Sequence, residues 1–323
     1  MAMRWVVVSD DLLPCPGGVA VWTDSVVEGL RHAGHEVRVF GRWREGLAAD
    51  VVGVRQRSFA RWGYLGLTAA ARHDVERADA VLATTWHVAP LQHTGWVVCH
   101  GSDLTTPAPR PRRRRRVLRR CRVGAVSAFL ARRADALGAR STVLASPVDA
   151  APRPRRLPPR ASAWLWAGRM VPGKGGDRFV RLVAAAGVRG TMLGDGPLRA
   201  RWEALARRCG ADVTFAGWRP PGEVRDALGS HDLLLCLPRT PEGLGLVALE
   251  AAARGVPVVG CDVGGLAEAV GPGILLEAPD DASSSVDAIR ATWSPRLGEA
   301  CWEHVRAHHG VAKLVAQLEA GAL

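Results

Sequence analysis

Two glutamates, Glu242 and Glu250, stand eight residues apart in the segment EGLGLVALE, with Gly243 and Gly245 between them. On one continuous helix they would lie ~12 Å apart along the axis and ~80° apart around it. They cannot share a proton or flank one bond as a glycosidase pair does. They can hold opposite ends of one elongated ligand, and the glycines leave backbone N–H groups open to an anion where the helix starts. The same spacing also suits two solvated helix residues.

A second cluster, GRMVPGKGGD over 168–177, pairs the cations Arg169 and Lys174 with glycines that permit close backbone approach. Gly168, Gly173 and Lys174 fit the opening of a phosphate-binding G-x-x-x-x-G-K loop. The next residue is Gly175, where a magnesium-nucleotide loop needs Ser or Thr, which speaks against an ATPase or GTPase. The residue types still suit a phosphate held before a helix N-terminus. The blander alternative is a turn with incidental cations.

Both clusters need elements to hold them. Apolar runs at 5–8, 37–40, 51–54, 80–83, 96–99, 123–126 and 142–145 read as strands, as do 163–167, 190–193, 213–216, 233–237, 256–260 and 274–276. Helical patterns lie between many of them, including 19–33, 127–137, 176–186, 198–209, 222–229, 244–254, 265–270 and 283–293. Strand–helix alternation predicts parallel sheets, because parallel strands need crossover helices. The segment APRPRRLPPR at 151–160 interrupts the pattern and reads as a linker, since proline suits neither a helix interior nor a central strand. The expected organisation is an α/β chain with a doubly wound domain at 1–150, that linker, and a second such domain at 161–295. Residues 296–323 read as helical and strand-free, and their packing back toward the first domain stays open.

In doubly wound sheets ligands bind beyond the carboxyl ends of the strands. The turns there hold Gly17-Gly18, Trp86-His87 and His100-Gly101-Ser102-Asp103 in the first half. In the second half they hold 168–176, 194–196, Gly217-Trp218, 238–245 and 262–265. Trp22 and Trp86 are candidates for stacking on a sugar face, with core packing as the alternative. Asp10 and Asp11 follow the first strand and read as solvated.

The chain has 323 residues, 48% of them hydrophobic and 23% charged, which excludes disorder over most of its length. No apolar run approaches the ~20 residues of a membrane span. Asp10 and Asp11 come too early for a secretory signal, so the cytoplasm is the expected location. Seven scattered cysteines with no C-x-x-C pair argue against a zinc site or a disulfide framework. The net charge of +12 is uneven: residues 1–160 carry 26 basic against 13 acidic residues, and residues 161–323 carry 17 against 18. Nine arginines fall between Arg110 and Arg122. That run reads as a solvated helix face, as a contact for an anionic membrane surface or acceptor, or as a nucleic-acid patch. No aromatic residue interleaves it, which disfavours nucleic acid. A nicotinamide enzyme is disfavoured because no G-x-G-x-x-G follows a strand.

GRMVPGKGGD, GDGP at 194–197, FAGW at 215–218 and LPRTPEGLGLVALEAAARGVPVVGCDVGGLAE at 237–268 together resemble the donor domain of the retaining glycosyltransferases of family 4, including the E-x7-E pattern. The first half is similar through its GG before a helix, its HG-x-D, and AVSAFLARRADALGA at 125–139, like the family's serine-started helix. The resemblance implies a GT-B fold, with two Rossmann-like domains facing across a cleft that holds a nucleotide-sugar. It implies that Arg169 and Lys174 bind the diphosphate, that Glu242 contacts the donor sugar, and that Glu250 holds the ribose hydroxyls. Gly245 and Leu246 fall in the loop whose amides approach phosphate, with Gly168, Gly217, Trp218, Gly243 and Leu244 beside the donor. Gly17 and Gly18 match glycines near the diphosphate, and His100 a histidine near the donor sugar. Trp86, His87 and Asp103 are the acceptor-side candidates. No metal and no cofactor is expected, since the two cations and a helix dipole can meet the leaving-group charge. The expected partners are the nucleotide-sugar, UDP-linked first and GDP-linked next, and an acceptor that is a sugar, a lipid-linked glycan or a small natural product. The pattern departs at Ser146-Pro147, where the family has Asn-Gly before its hydrophobic-Asp pair.

Overall fold

The computed structural model describes residues 1–15, 17–42, 45–54, 65–90 and 95–322. They form two compact units, one of Met1–Pro147 with His309–Leu323 and one of Val148–His308.

The first unit runs β1 (Arg4–Ser9), α1 (Gly18–His32), β2 (Glu36–Arg42), β3 (Val51–Val54), α2 (Leu65–Ala70), α3 (Arg72–Arg77), β4 (Ala80–Ala83), β5 (Trp96–Cys99), α4 (Ser102–Thr105), α5 (Pro111–Arg120), β6 (Arg122–Ala125), α6 (Ala128–Asp135) and β7 (Ser141–Val143). Its seven strands are parallel, in the order β3-β2-β1-β4-β5-β6-β7. Trp5, Val6, Val7 and Val8 are all buried because β1 lies inside the sheet with helices on both faces. The Ser127 hydroxyl accepts the Leu130 N–H at 3.2 Å and caps α6.

The second unit runs β8 (Ala163–Ala167), α7 (Gly176–Ala186), β9 (Arg189–Leu193), α8 (Arg199–Cys209), β10 (Val213–Gly217), α9 (Pro221–Ser230), β11 (Leu233–Leu235), α10 (Leu246–Ala252), β12 (Val258–Gly260), α11 (Leu266–Val270), β13 (Ile274–Leu275), α12 (Ala282–Thr292) and α13 (Leu297–His308). Six parallel strands take the order β10-β9-β8-β11-β12-β13. Trp164, Trp166, Met170, Phe179, Met192 and Trp202 pack its core, with the Trp166 and Trp202 rings edge to face at 5.4 Å.

Every run read as a strand is one, with ends shifted by a residue or two where pairing, rather than apolarity, stops the ladder. The Pro/Arg segment at 151–160 is no free linker. The Ala151 and Arg155 N–H groups donate to the Ala253 and Arg254 carbonyls, and the Arg155 guanidinium meets Asp232 at 3.0 Å and the His231 carbonyl. Its prolines forgo helix and sheet while Arg155 ties it to the second unit. The terminal helical segment divides. Helix α13 stays with the second unit, whereas a last helix, α14 (Val311–Ala320), packs on the first. There the Trp96 indole donates to the Leu318 carbonyl at 3.0 Å, His35 meets Glu319 at 2.7 Å, and the Gln317 amide oxygen accepts the Ala145 N–H at 2.7 Å. Among the described residues, no helix is long and apolar enough to cross a membrane.

Candidate functional site

Both strand orders reverse direction once, between β1 and β4 in the first unit and between β8 and β11 in the second. Helices leave opposite faces there, so a crevice opens beyond the carboxyl ends of the two strands. In the second unit the segment after β8 is 168–175 and the segment after β11 is 236–245. These are the two clusters that the sequence singles out.

The ammonium of Lys174 lies 2.6 Å from Glu242 Oε1. Both side chains remain partly exposed, 33% and 21%. Arg169 is exposed on the same turn, beside exposed Gly168. Glu242 sits in a loop rather than in a helix. Its N–H donates to the Val263 carbonyl at 3.4 Å, and its carbonyl accepts the Gly265 N–H at 2.8 Å. That bracing needs Gly264 at φ +73°, where a Cβ would stand 2.3 Å from the Glu242 oxygen. Helix α10 follows, with left-handed Gly245 as its N-cap and Leu246 as its first residue. Gly243 and Leu244 are buried beneath this turn. The first amides of a helix have no intrahelical acceptor, so this end presents donors.

Glu250 lies on α10 and is half-buried. Burial raises its carboxyl above the usual range, with the Arg254 and Arg225 charges pulling the other way. Among the described residues its carboxylate makes no hydrogen bond, whereas Arg254 donates to its backbone carbonyl at 3.0 Å. Gly217 ends β10 and presents Trp218, which is 57% exposed, while most of the described tryptophans are buried.

A group of charged residues that sequence reasoning missed holds the two segments together. The Arg178 guanidinium donates to both Asp280 oxygens at 2.9 and 2.5 Å, and to the Leu237 and Pro238 carbonyls at 3.1 and 3.0 Å. Arg239 donates to both Asp177 oxygens at 2.7 and 2.9 Å and to Asp280 at 2.8 Å, while its N–H meets the Gly173 carbonyl at 2.7 Å. These bonds hold the Asp280 carboxyl down at about 2, the Arg178 hydrogen bond contributing most. Gly175 completes the clamp at φ +71°, with room for no Cβ: one would fall 1.8 Å from the Leu237 oxygen. No local pattern marks Asp280, which stands 102 residues from Arg178.

In the first unit, Gly17 and Gly18 are exposed at the start of α1, as the sequence suggests. The His100 imidazole meets the Trp22 ring edge to face at 4.7 Å, and its Nε2 is buried with no hydrogen-bond partner. Burial holds it down at about 3, so it is neutral at ordinary pH. His87 is half-buried and held at about 4, by burial first and then by Arg113 and Arg114.

Several expectations fail here. Trp86 and Trp22 are 1% and 2% exposed, so neither ring offers a face to a sugar; the Trp86 indole donates to the Asp103 carbonyl at 3.0 Å. Asp103 is no acceptor contact, since it is 7% exposed and accepts the Gly101 and His100 N–H groups at 2.7 and 3.2 Å. Its role is to shape the turn that carries His100. Asp10 is not simply solvated, because Arg42 grips both its oxygens at 2.9 and 2.8 Å. The arginine run is not uniformly a solvated face. Arg113 and Arg114 turn inward to the carbonyls of His87, Ala89, Asp103 and Thr106, leaving Arg112, Arg115, Arg116 and Arg119 exposed on one side of α5.

Residues 162–294, all inside the second unit, match the family described as Glycosyl transferases group 1. The 2-deoxystreptamine N-acetyl-D-glucosaminyltransferase of Streptomyces fradiae is 36% identical over 130 residues, covering 36% of this chain and 31% of that protein. The D-inositol 3-phosphate glycosyltransferase of Rhodococcus opacus is 34% identical over 139 residues, covering 39% and 31%. The chain thus spans about a third of the length of these curated relatives. Among solved structures, Anabaena HepE in complex with UDP and glucose is similar over 98% of both chains, with a TM-score of 0.75 at 18% identity. The architecture is the GT-B fold, built from two Rossmann-like domains.

Proposed function

We propose that the chain is a retaining glycosyltransferase of family 4 that moves a sugar from a nucleotide-sugar, UDP-linked first and GDP-linked next, to a hydroxyl of its acceptor. The observation that carries this reading is the 2.6 Å pair of Lys174 and Glu242 where the strand order of the second sheet reverses. A cation that meets a departing diphosphate and a carboxylate that meets sugar hydroxyls are thereby neighbours. The family match over 162–294 and the solved UDP complex with this fold support it.

In this mechanism the diphosphate displaces Glu242 from Lys174 and is met by Arg169, Lys174 and the open amides around Gly245 and Leu246. The freed Glu242 carboxylate accepts hydrogen bonds from the donor sugar. Glu250, unpaired and half-buried, takes the two ribose hydroxyls, and Trp218 offers its ring to the nucleobase. In the first unit, Gly17, Gly18 and neutral His100 are the residues proposed for donor binding. The bond from the anomeric carbon to the phosphate oxygen breaks as that carbon bonds the acceptor oxygen on the same face. The acceptor proton passes to the departing phosphate. Positive side chains supply the charge stabilisation, so no metal is required.

The names of the Streptomyces and Rhodococcus relatives point to a small polyhydroxylated ring as acceptor. Of the original acceptor-side candidates only His87 stays accessible to it. The exposed arginines of α5 would hold the enzyme at an anionic membrane surface on the cytoplasmic side, testable by salt-sensitive binding to anionic vesicles but not to neutral ones.

The deciding experiment is a screen of nucleotide-sugars by thermal shift and by release of nucleoside diphosphate. A rise in Tm with slow hydrolysis of one UDP- or GDP-sugar is expected. No shift and no release with any of them would overturn the reading.

A further inference from the structure

Outside the donor residues, the second unit holds a cavity of about 260 Å³ beside the Gly173 turn, between α7 and α8. Arg181, Arg201, Arg208 and Arg239 line it, with Asp177 as its one acid and with Trp202, Leu205 and Pro172 as its apolar surface. None of Arg169, Lys174, Trp218, Glu242 or Glu250 takes part.

Three of these four arginines, Arg181, Arg201 and Arg208, are exposed and have unpaired side chains, as Arg169, Arg189 and Arg207 do elsewhere in the unit. Arg155, Arg178, Arg199 and Arg219 all have carboxylate partners. Arg181, Arg201 and Arg208 have neither a hydrogen bond nor an ion pair with any described residue. Arg201 and Arg208 are seven residues apart on α8 and so share a face. Three unpaired guanidiniums around one cavity repel each other, and an anion relieves that repulsion while taking their forked donors two at a time.

We infer that this cavity is a second binding site, for a small molecule that carries two phosphate groups. Its size lies just under the usual span of small-molecule pockets, which calls for a compact ligand. Arg239 is already paired with Asp177 and Asp280, so Arg181, Arg201 and Arg208 leave three net positive charges. Two phosphates supply about three to four negative ones at neutral pH. The apolar surface of Trp202, Leu205 and Pro172 suits the carbon body between them.

Calorimetry with fructose 1,6-bisphosphate as probe tests this on the full chain, with and without UDP present. The wild type should bind the probe, and Arg201→Ala and Arg208→Ala should each weaken binding at least about tenfold with Tm unchanged. UDP binding should be the same in all three proteins. No binding at millimolar probe, competition by UDP, equal affinity in the variants, or an equal response to sulfate at matched ionic strength would each overturn the site. None of these outcomes depends on whether the chain transfers sugar.

Discussion

Lys174 and Glu242 close on each other at 2.6 Å, although 68 residues separate them. In the proposed reading, each occupies the place that a ligand group would take from the other. In the proposed donor site, the nucleotide-sugar would break this pair and gain both partners by doing so.

Lys174→Ala and Arg169→Ala should leave the fold intact, because Arg169 is exposed and Lys174 partly so. Turnover should fall about 10²–10³-fold in each, as for removal of one preorganised charge stabiliser. Activity of the wild type should survive EDTA. Steady-state kinetics with the preferred donor, beside a melting curve, check both points. Near-normal kcat in both variants would remove the diphosphate assignment.

Glu250→Gln should weaken free nucleoside diphosphate by about 1.5–3 kcal/mol, the contribution of a charged hydrogen bond. Glu242→Gln should barely change that affinity and should depress kcat on the intact donor. Calorimetry and turnover on the same preparations separate the two roles. A reversed pattern would mean that the roles are exchanged.

His100 should show no titration across the physiological range, because burial keeps its imidazole neutral down to about pH 3. The unfolded chain binds that proton near pH 6.5. This depressed group therefore favours the folded state fully above about 6.5, and the contribution drains away as pH falls toward 3. Imidazole proton shifts followed by NMR between pH 5 and 8 test it directly. A midpoint near 6.5 for His100 would contradict the buried geometry.

Asp280→Asn tests the clamp. The native carboxyl is held at about 2 against an ordinary 3.8, so its contribution is complete above about pH 4 and is lost as pH falls toward 2. Its side chain is 65% exposed, which limits the contribution to about 1 kcal/mol or less. For a unit of this size that amounts to a Tm drop of about 2–4 °C. The difference from wild type should be constant from pH 7 to 5 and narrow below 4, as read by thermal melts. A difference that grows toward acid would assign the stabilisation to another group.

What the sequence determined by itself was the local grammar. Apolar runs such as Trp5–Val8 and Leu233–Leu237 mark strands because a buried parallel strand needs apolar side chains on both faces, and that demand is written in consecutive residues. GRMVPGKGGD and EGLGLVALE were legible for the same reason, since glycine turns, cations and a helix start act within ten residues. The tertiary structure alone decided adjacency and inside from outside. It set β8 beside β11, and so Lys174 beside Glu242. It brought Asp280 under Arg178 and Arg239, returned α14 to the first unit, buried Trp86, and turned Arg113 and Arg114 inward. Strand pairing and burial are settled by which distant segments compete for the same surface. A residue's type fixes the chemistry it can do, but only the packed chain decides which partner it meets.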